Sequence, residues 1–274
     1  MIRKKAVILL QNILAWLFSL IMVTPMLIIA INSFKSQKEA YAMDFRLPSQ
    51  WMFSNYTTVI QQGNLLEGFF NSFCYALLST VLLLIVTLPC AFVLQRRGSE
   101  RGCKAIYYVL ILGIALPINN IALTKVMVFL HLMNTRIGMY CLYAAIGIPL
   151  AIFIAVGFIA GIPSVLDEAA VLDGCGPHQL FLRVILPLLK PLVSTLFILN
   201  FLGTWNDFSM AIYFLNGSDK RPMSLAVYNF FGQFEQSWNL VCADVVLTAL
   251  PVLVIYVLAQ KYIVEGLTSG AVKG

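Results

Sequence analysis

Long apolar stretches, separated by short polar segments, run through most of the sequence. A bilayer core about 30 Å thick requires roughly 20 apolar residues in a helix, and six stretches approach or exceed that length while carrying few charged side chains. The first is longer than the roughly 7–15 apolar residues of a cleavable signal peptide, so we expect it to remain as a helix. The pattern predicts six transmembrane helices, at residues 6–31, 69–94, 105 to about 129, 137–162, 188–215 and about 240–258.

The composition agrees with an integral membrane protein. Charged residues make up 11% of the chain and hydrophobic residues 60%, with a mean hydropathy of +0.87, whereas a soluble domain is about 25% charged. The net charge of +6 is expected to orient loops rather than to bind nucleic acid. The six cysteines are scattered singly, with no C-x-x-C pair, so neither a disulfide framework nor a zinc site is predicted.

Basic residues set the expected orientation, because cytoplasmic loops hold most of the Lys and Arg of a membrane protein. With the N-terminus inside, eleven of the 18 basic residues fall in inner segments, and the bias is strongest beside the first two helices. We therefore expect an all-α membrane protein, a single transmembrane domain over residues 1–274 with both termini in the cytoplasm. The segment between the fourth and fifth helices then also lies in the cytoplasm.

That cytoplasmic segment, residues 163–190, is more organised than a connector needs, and we call it the elbow. Ser164 followed three residues later by Asp167 is typical of a capping box and predicts a helix that starts at Val165. Gly174 predicts the end of this helix, because glycine adopts the left-handed conformation there without steric cost.

A second short helix of the elbow is predicted from Pro177 to about Leu186, since proline is favoured in the first turn of a helix and the next proline stops it. On the first helix, Val165, Ala169 and Leu172 share one face. An apolar stripe exposed to the cytosol indicates a docking surface for a partner. The alternative is an ordinary loop whose helices fold back against the membrane.

The elbow resembles the EAA loop of the integral-membrane subunits of bacterial ABC importers. That pattern is Glu-Ala-Ala, three residues, Gly, nine residues, then Ile-x-Leu-Pro; this chain has Glu168-Ala-Ala170, then Gly174, then Val184-Ile-Leu-Pro187 at the same spacing, with Val in place of Ile as the one departure. The resemblance covers about residues 69–274. It extends to the carbohydrate-type branch, which includes maltose, multiple-sugar and glycerol-phosphate permeases, through Trp205-Asn-Asp-Phe208 and the C-terminal run 262–274.

The resemblance implies a permease subunit that moves a sugar, oligosaccharide or glycerol derivative across the cytoplasmic membrane of a bacterium or archaeon by alternating access. Its implied partners are a cytosolic ATPase dimer, a second and different permease subunit, and an extracellular solute-binding protein. The chain has no G-x-x-x-x-G-K-[ST] phosphate loop, so no cofactor is expected on it, and ATP and Mg²⁺ would bind the ATPase. The resemblance places the ATPase-docking element at Asp167, Glu168, Ala169, Ala170, Leu172, Gly174, Leu186 and Pro187.

Polar residues inside the fifth predicted span mark a second candidate site. Asn200, Thr204 and Asp207 lie on one face of an otherwise apolar helix, and Asn206 is adjacent. Intramembrane polar groups usually face a bundle interior or a water-filled cavity. We expect this face to line a substrate path where Asp207 and Asn206 hydrogen-bond a hydroxyl-rich solute. The alternative is a contact between helices, with Asp207 satisfied by a neighbouring group.

Rival functions are less consistent with the sequence. The metal-binding aspartate clusters of headgroup transferases, the H-E-x-x-H of intramembrane metalloproteases and the Ser/His signature of rhomboid-type proteases are all missing, so an enzyme is not predicted. A secondary transporter is expected to carry internal repeats and midplane acids, and no self-similar halves are found. A channel-type subunit without an ATPase is opposed by the elbow alone, and this alternative stays open.

Overall fold

The structure is a computed structural model that describes residues 2–230 and 237–271, and every regular element in these residues is helical. The prediction of an all-α protein is thus confirmed. In chain order the helices are α1 (Ile2–Asn32), α2 (Gln37–Ala40), α3 (Ser54–Gln62), α4 (Leu65–Arg96), α5 (Arg101–Ala115), α6 (Asn120–Phe129), α7 (Arg136–Ile159), α8 (Val165–Leu172), α9 (Pro177–Gln179), a π-helical turn (Leu180–Ile185), α10 (Leu186–Leu188), α11 (Lys190–Asn206), α12 (Ser209–Phe214), two 3-10 helices (Ser218–Lys220 and Met223–Phe230) and α13 (Trp238–Ala271).

Four helices in the described residues are long and apolar enough to cross a membrane without interruption, in α1, α4, α7 and α13. Each contains one proline, which spanning helices tolerate because neighbouring groups re-satisfy the freed carbonyl. In α1, the hydroxyls of Ser19 and Thr24 donate to the carbonyls of Ala15 and Leu20, one turn back. Both hydroxyls are thereby satisfied within α1.

The third predicted span, residues 105 to about 129, is wrong as a single helix. It is divided into α5 and α6, of 15 and 10 residues, and neither reaches the roughly 20 residues that a bilayer requires. Leu116 is extended, as expected for a residue before proline, and Pro117 cannot continue the helical hydrogen bonds. The Asn119 side chain then accepts bonds from the N–H groups of Ile121 and Ala122, which starts α6.

The fifth predicted span, residues 188–215, is also interrupted, because α11 ends at Asn206 and α12 begins at Ser209. A second break lies at its start. The second helix of the elbow, Pro177–Leu188, meets α11 at a bend of 75°, because Pro191 has no N–H to bond back to the preceding turn. The predicted stop before Pro187 is two residues too early. The Leu186 N–H donates to the Phe181 carbonyl and closes a π turn. Pro187 therefore lies in the first turn of α10, where a residue without an N–H costs no helical hydrogen bond. The described chain thus has four continuous candidate spans, or five with this bent pair.

The described residues form two compact units. The first comprises residues 2–67, 225–230 and 237–251, and a buried polar network organises it. The Asn55 amide donates to the carbonyls of Ser33 and Lys35 and accepts from Asn239. The Lys35 ammonium, only 2% exposed, binds the Asp44 carboxylate at 2.6 Å. The segment that follows α1 is thereby ordered by specific bonds rather than by apolar packing alone.

The second unit comprises residues 68–224 and 252–271 and contains the elbow. Its core is an apolar cluster in which elbow residues pack with α4 and α7. Small side chains allow the helices to approach closely, and branched ones fill the remaining space. The buried members of the cluster are Leu83, Leu88, Ala91, Ala144, Ala151, Ala155, Ile159, Ala170, Leu180, Ile185, Leu189, Leu192 and Leu196.

Candidate functional site

The first helix of the elbow begins and ends where the sequence predicts. It runs over Val165–Leu172, and Gly174 follows in the left-handed region at φ +83°. The Cys175 N–H donates to the Ala170 carbonyl and the Gly174 N–H to the Val171 carbonyl, which together form a Schellman motif. The end of this helix is therefore fixed by backbone hydrogen bonds that require the glycine.

The predicted capping box at the start of this helix is wrong. Ser164 has helical dihedrals, φ −66° and ψ −18°, and its side chain makes no capping bond. Its carbonyl accepts the N–H groups of Asp167 and Glu168 instead. The Asp167 carboxylate is consequently free for a partner elsewhere in the fold.

The outer face of the elbow presents apolar side chains to solvent. Leu172 is 88% exposed, and Val165 and Val171 are 66% and 59% exposed. The predicted docking residues Glu168, Ala169 and Gly174 are exposed as well, and so is Pro187, while Leu186 is half-buried. We call Val165, Glu168, Ala169, Val171 and Leu172 the elbow face. Val171 was not singled out from the sequence, because it lies off the i, i+4, i+7 stripe.

Two of the predicted docking residues point to the interior instead. Ala170 is 6% exposed and belongs to the apolar cluster. The Asp167 carboxylate binds the Arg96 guanidinium at the end of α4, from Nε at 2.6 Å and from Nη2 at 3.2 Å. The predicted docking set is thus divided between an outward face and an inward attachment.

Arg96 is a residue of this site that sequence reasoning missed. From the sequence it counted only as one of the basic residues that orient the chain. Its sequence separation of 71 from Asp167 leaves no local signal of their contact. Its Nη1 also donates to the Ile162 carbonyl at 3.0 Å, and its guanidinium lies over the Phe92 ring. The sequence indicates this contact only by a basic residue at the end of one span, Arg96, and an acidic residue in the elbow, Asp167.

The candidate path residues in α11 lie in different surroundings. The Asn200 amide donates to the Thr80 hydroxyl of α4 at 2.9 Å. Thr204 is buried, while Asn206, the last residue of α11, is exposed. Asn200 thus has a partner within the protein. The contact of these residues with a solute stays a prediction.

Asp207 lies at the break between α11 and α12. Its Oδ2 accepts the Tyr143 hydroxyl of α7 and the backbone N–H of Met210, both at 2.9 Å, and the Ser224 hydroxyl donates to its carbonyl. Asp207 therefore joins three segments of the second unit, two through its carboxylate and one through its backbone carbonyl. These bonds are of the kind expected for a contact between helices.

Two cavities adjoin these helices in the second unit. The smaller, about 100 Å³, lies beside Asn200 and Gly147, and it is well below the roughly 300–1,000 Å³ of a small-molecule pocket. The larger, about 630 Å³, is an open groove along α5, α6 and α7. Its lining is aliphatic apart from Asn119, and consists of Gly113, Ile114, Leu116, Ile118, Asn119, Ala122, Leu123, Val126, Leu142, Ala145, Ile146, Pro149 and Leu150.

Comparison with known proteins shows the family to which the chain is related. Residues 68–268 match the family described as the binding-protein-dependent transport system inner membrane component. The chain is 33% identical to the probable starch degradation products transport system permease protein of Thermoanaerobacterium thermosulfurigenes, over 96% of each chain. It is 32% identical to the melibiose/raffinose/stachyose import permease protein of Bacillus subtilis, over 91% of each chain.

A solved structure has the same fold. It is a bacterial ABC transporter involved in the import of the acidic polysaccharide alginate, and one of its chains superposes with a TM-score of 0.83 at 22% identity, over 94% of this chain and 96% of that one. The resemblance drawn from the elbow motif is therefore confirmed by sequence and by fold.

Proposed function

The chain belongs to the family of inner membrane components of binding-protein-dependent transport systems, and we propose that it is the permease subunit of an ATP-driven importer for a sugar, oligosaccharide or glycerol derivative. The substrates named for its relatives, which match nearly the whole chain, support the carbohydrate class. The energy would come from a partner ATPase that holds ATP and Mg²⁺. The chain itself would perform no catalysis and would reside in the cytoplasmic membrane of a bacterium or archaeon.

The observation that carries this proposal is the elbow face. Leu172, Val165 and Val171 are exposed on a helix whose other side, at Ala170, is buried. Covering a leucine side chain contributes about 1.5–3 kcal/mol, so a cytosolic partner that receives Leu172 gains affinity from it. A secondary transporter or a channel needs no such surface, and the elbow face favours an ATPase partner over both.

The mechanism that fits this geometry is alternating access. Two permease chains, of which the second is a different protein, would enclose a central cavity, and an external binding protein would deliver the solute. Closure of the ATPase dimer would move the elbow. Because Ala170, Leu180 and Ile185 of the elbow lie in the same apolar cluster as residues of α4 and α7, that movement would shift the inner ends of these helices.

The topology that we propose has six crossings and both termini in the cytoplasm. The third crossing would be formed by α5 and α6 together, and the fifth by α11 and α12 beyond the bend. Thiol labelling of single cysteines tests the orientation at two exposed positions, Ser99 after α4 and Gln50 after α2. We expect Ser99→Cys to react only from the cytoplasmic side and Gln50→Cys only from outside; the reverse pattern would remove the elbow from the cytosol.

ATPase retention during purification tests the docking proposal. Leu172→Asp places a charge in the contact, and Glu168→Lys reverses one, so each should weaken docking by about 10- to 1,000-fold. Leu172→Met preserves apolar volume and should retain the ATPase, and Glu100→Lys makes the same charge reversal away from the elbow. If Leu172→Asp and Glu168→Lys complexes retain and stimulate the ATPase like the parent, the elbow does not dock it.

A further inference from the structure

The side chain of Arg96, the last residue of α4, forms hydrogen bonds to the elbow and to Ile162, the residue before it. The Arg96 guanidinium donates to both oxygens of Asp167, to the Ile162 carbonyl and to Oε1 of Gln95, at 2.6 to 3.2 Å. Arg96 and Asp167 are 16% and 17% exposed. Such a bidentate pair fixes orientation as well as distance, because two parallel hydrogen bonds restrict rotation of both groups.

Apolar contacts alone would fix the first elbow helix weakly. Its buried residue is Ala170, a small side chain that permits close approach but offers little surface to hold. Packing of this kind resists separation more than it resists sliding, since dispersion contacts have no preferred direction. The directional link between α8 and α4 is therefore the Arg96–Asp167 pair.

Phe92, one turn before Arg96, contacts the other arm of the elbow. Its ring lies 5.7 Å from the ring of Phe181 in the π turn, and the Arg96 guanidinium lies 5.8 Å from its centroid. One turn of α4 thus touches both elbow helices. The next basic residue, Arg97, differs: its side chain is 66% exposed, and it pairs with Glu100 of its own loop at 3.8 Å.

We propose that Arg96 is the positioning residue that locks the elbow to the inner end of α4, so that a pull on the elbow face moves α4 with it. Asp167 then serves this lock, and the ATPase contact is left to the exposed residues. This inference rests on the proposed function, in which an ATPase pulls on the elbow. It assigns a role to Asp167 different from that of its neighbour Glu168, which is exposed.

A distance measurement in the assembled complex tests the lock without a transported solute. Spin labels at Ser99 and His178, both exposed, report the separation of the α4 end from the elbow. In the parent, the distance distribution should be the same in the nucleotide-free and the ATP-vanadate-trapped states. In Arg96→Ala, trapping should add a second, longer distance, because the elbow moves while α4 stays. Arg97→Ala is the matched control and should behave like the parent.

The charge exchange Arg96→Asp with Asp167→Arg separates the lock from a general folding role. If Arg96→Ala fails to retain the ATPase, the exchange should restore retention and an unchanged distance; failure to restore both overturns the proposal. An Arg96→Ala complex whose distance does not change on trapping overturns it too. Failure of the docking proposal looks different, since Leu172→Asp would then retain the ATPase whatever the labels report.

Discussion

The Tyr143 hydroxyl donates a hydrogen bond to Oδ2 of Asp207, and the same oxygen accepts the N–H of Met210 at the start of α12, each at 2.9 Å. One carboxylate thereby holds the break that follows α11 and ties it to α7. The Asp207 carboxylate is therefore already hydrogen-bonded within the protein in the absence of a solute. Its first effect is therefore expected on the stability of the second unit.

Substitutions of this pair should lower thermal stability in a fixed order. Tyr143→Phe removes one bond to a charged group, which costs about 1.5–3 kcal/mol. Asp207→Ala should cost more, because it also removes the acceptor of the Met210 N–H in the first turn of α12. Loss of such a capping bond costs about 0.5–2 kcal/mol more. Asp207→Asn retains a carbonyl acceptor and should fall between the parent and Asp207→Ala. Unfolding of the purified permease in detergent measures the order.

The substrate-path hypothesis predicts a different outcome for Asp207. If the residue contacts solute, Asp207→Ala would leave thermal stability at the parental level and reduce import by a complex that remains assembled. Tyr143→Phe would then have little effect on either. A loss of thermal stability in Asp207→Ala therefore supports the helix contact, and a loss of import at parental stability supports the substrate path.

A close approach of three helices predicts a second pair of variants. A Cβ at Gly147 of α7 would meet Oδ1 of Asn200 and a methyl carbon of Leu83 at distances too short for real contacts, whereas a Cβ at Gly157 of the same helix would meet nothing. Both atoms end side chains, but Leu83 is buried and the Asn200 amide is bonded to Thr80, so neither moves without loss of contacts. Gly147→Ala should therefore destabilise the permease, by about 1 kcal/mol. Gly157→Ala should be neutral or stabilising by up to about 1 kcal/mol, because alanine favours a helix. Equal unfolding temperatures for the two variants would contradict close packing of the three helices at Gly147.

Local signals in the sequence predicted the elbow well. Gly174 ends its first helix as predicted, because a helix stop depends on a few adjacent residues. Val165 starts the helix as predicted, although the capping box that indicated this start does not form. The break in the third span was harder to predict. Pro117 marks it, yet Pro89 and Pro149 lie inside continuous helices, so a proline alone does not decide; the capping bonds of Asn119 do.

Contacts across long sequence separations were beyond local reasoning. Asp167 has the spacing of a capping box, but Arg96 competes for its carboxylate and makes two bonds where the cap offers one. Asn200 looked like a polar path residue, and Thr80 of α4 is its partner. In both cases the sequence identifies a polar group that needs a partner, and only the packing of helices decides which one it finds.

Acid should weaken the first unit through Asp44. The hydrogen bond from the Lys35 ammonium holds the pKa of the Asp44 carboxyl below its ordinary value of 3.8, and the Ser49 hydroxyl likewise lowers the pKa of Glu39. A group with a depressed pKa stabilises the folded state above its ordinary pKa, and the contribution is lost as the pH falls through the depressed value. The unfolding temperature should therefore hold from pH 7 to about 5 and drop below about pH 4.

Removal of the carboxylate tests this assignment. Asp44→Asn should unfold at a lower temperature than the parent at pH 7, because Lys35 is then buried without its ionic partner, and its decline below pH 4 should be shallower. Glu67→Gln, at an exposed carboxylate, is the control and should leave the acid slope unchanged. A parental slope in Asp44→Asn would show that other groups cause the acid sensitivity.

Two glycines that flank the bend of the elbow should respond differently to a methyl group. Gly174 has φ +83°, whereas Gly176 has φ −71° and ψ 168°, and a Cβ at either meets no other atom. Gly174→Ala must hold a left-handed alanine at a cost of about 1–2 kcal/mol, which the chain relieves by re-aiming the elbow face. At 1.4 kcal/mol per tenfold, ATPase retention should fall roughly 5- to 30-fold. Gly176→Ala adopts an extended conformation that suits a residue before proline and should retain the ATPase fully; equal retention by both variants would mean that the left-handed residue does not set the direction of the elbow face.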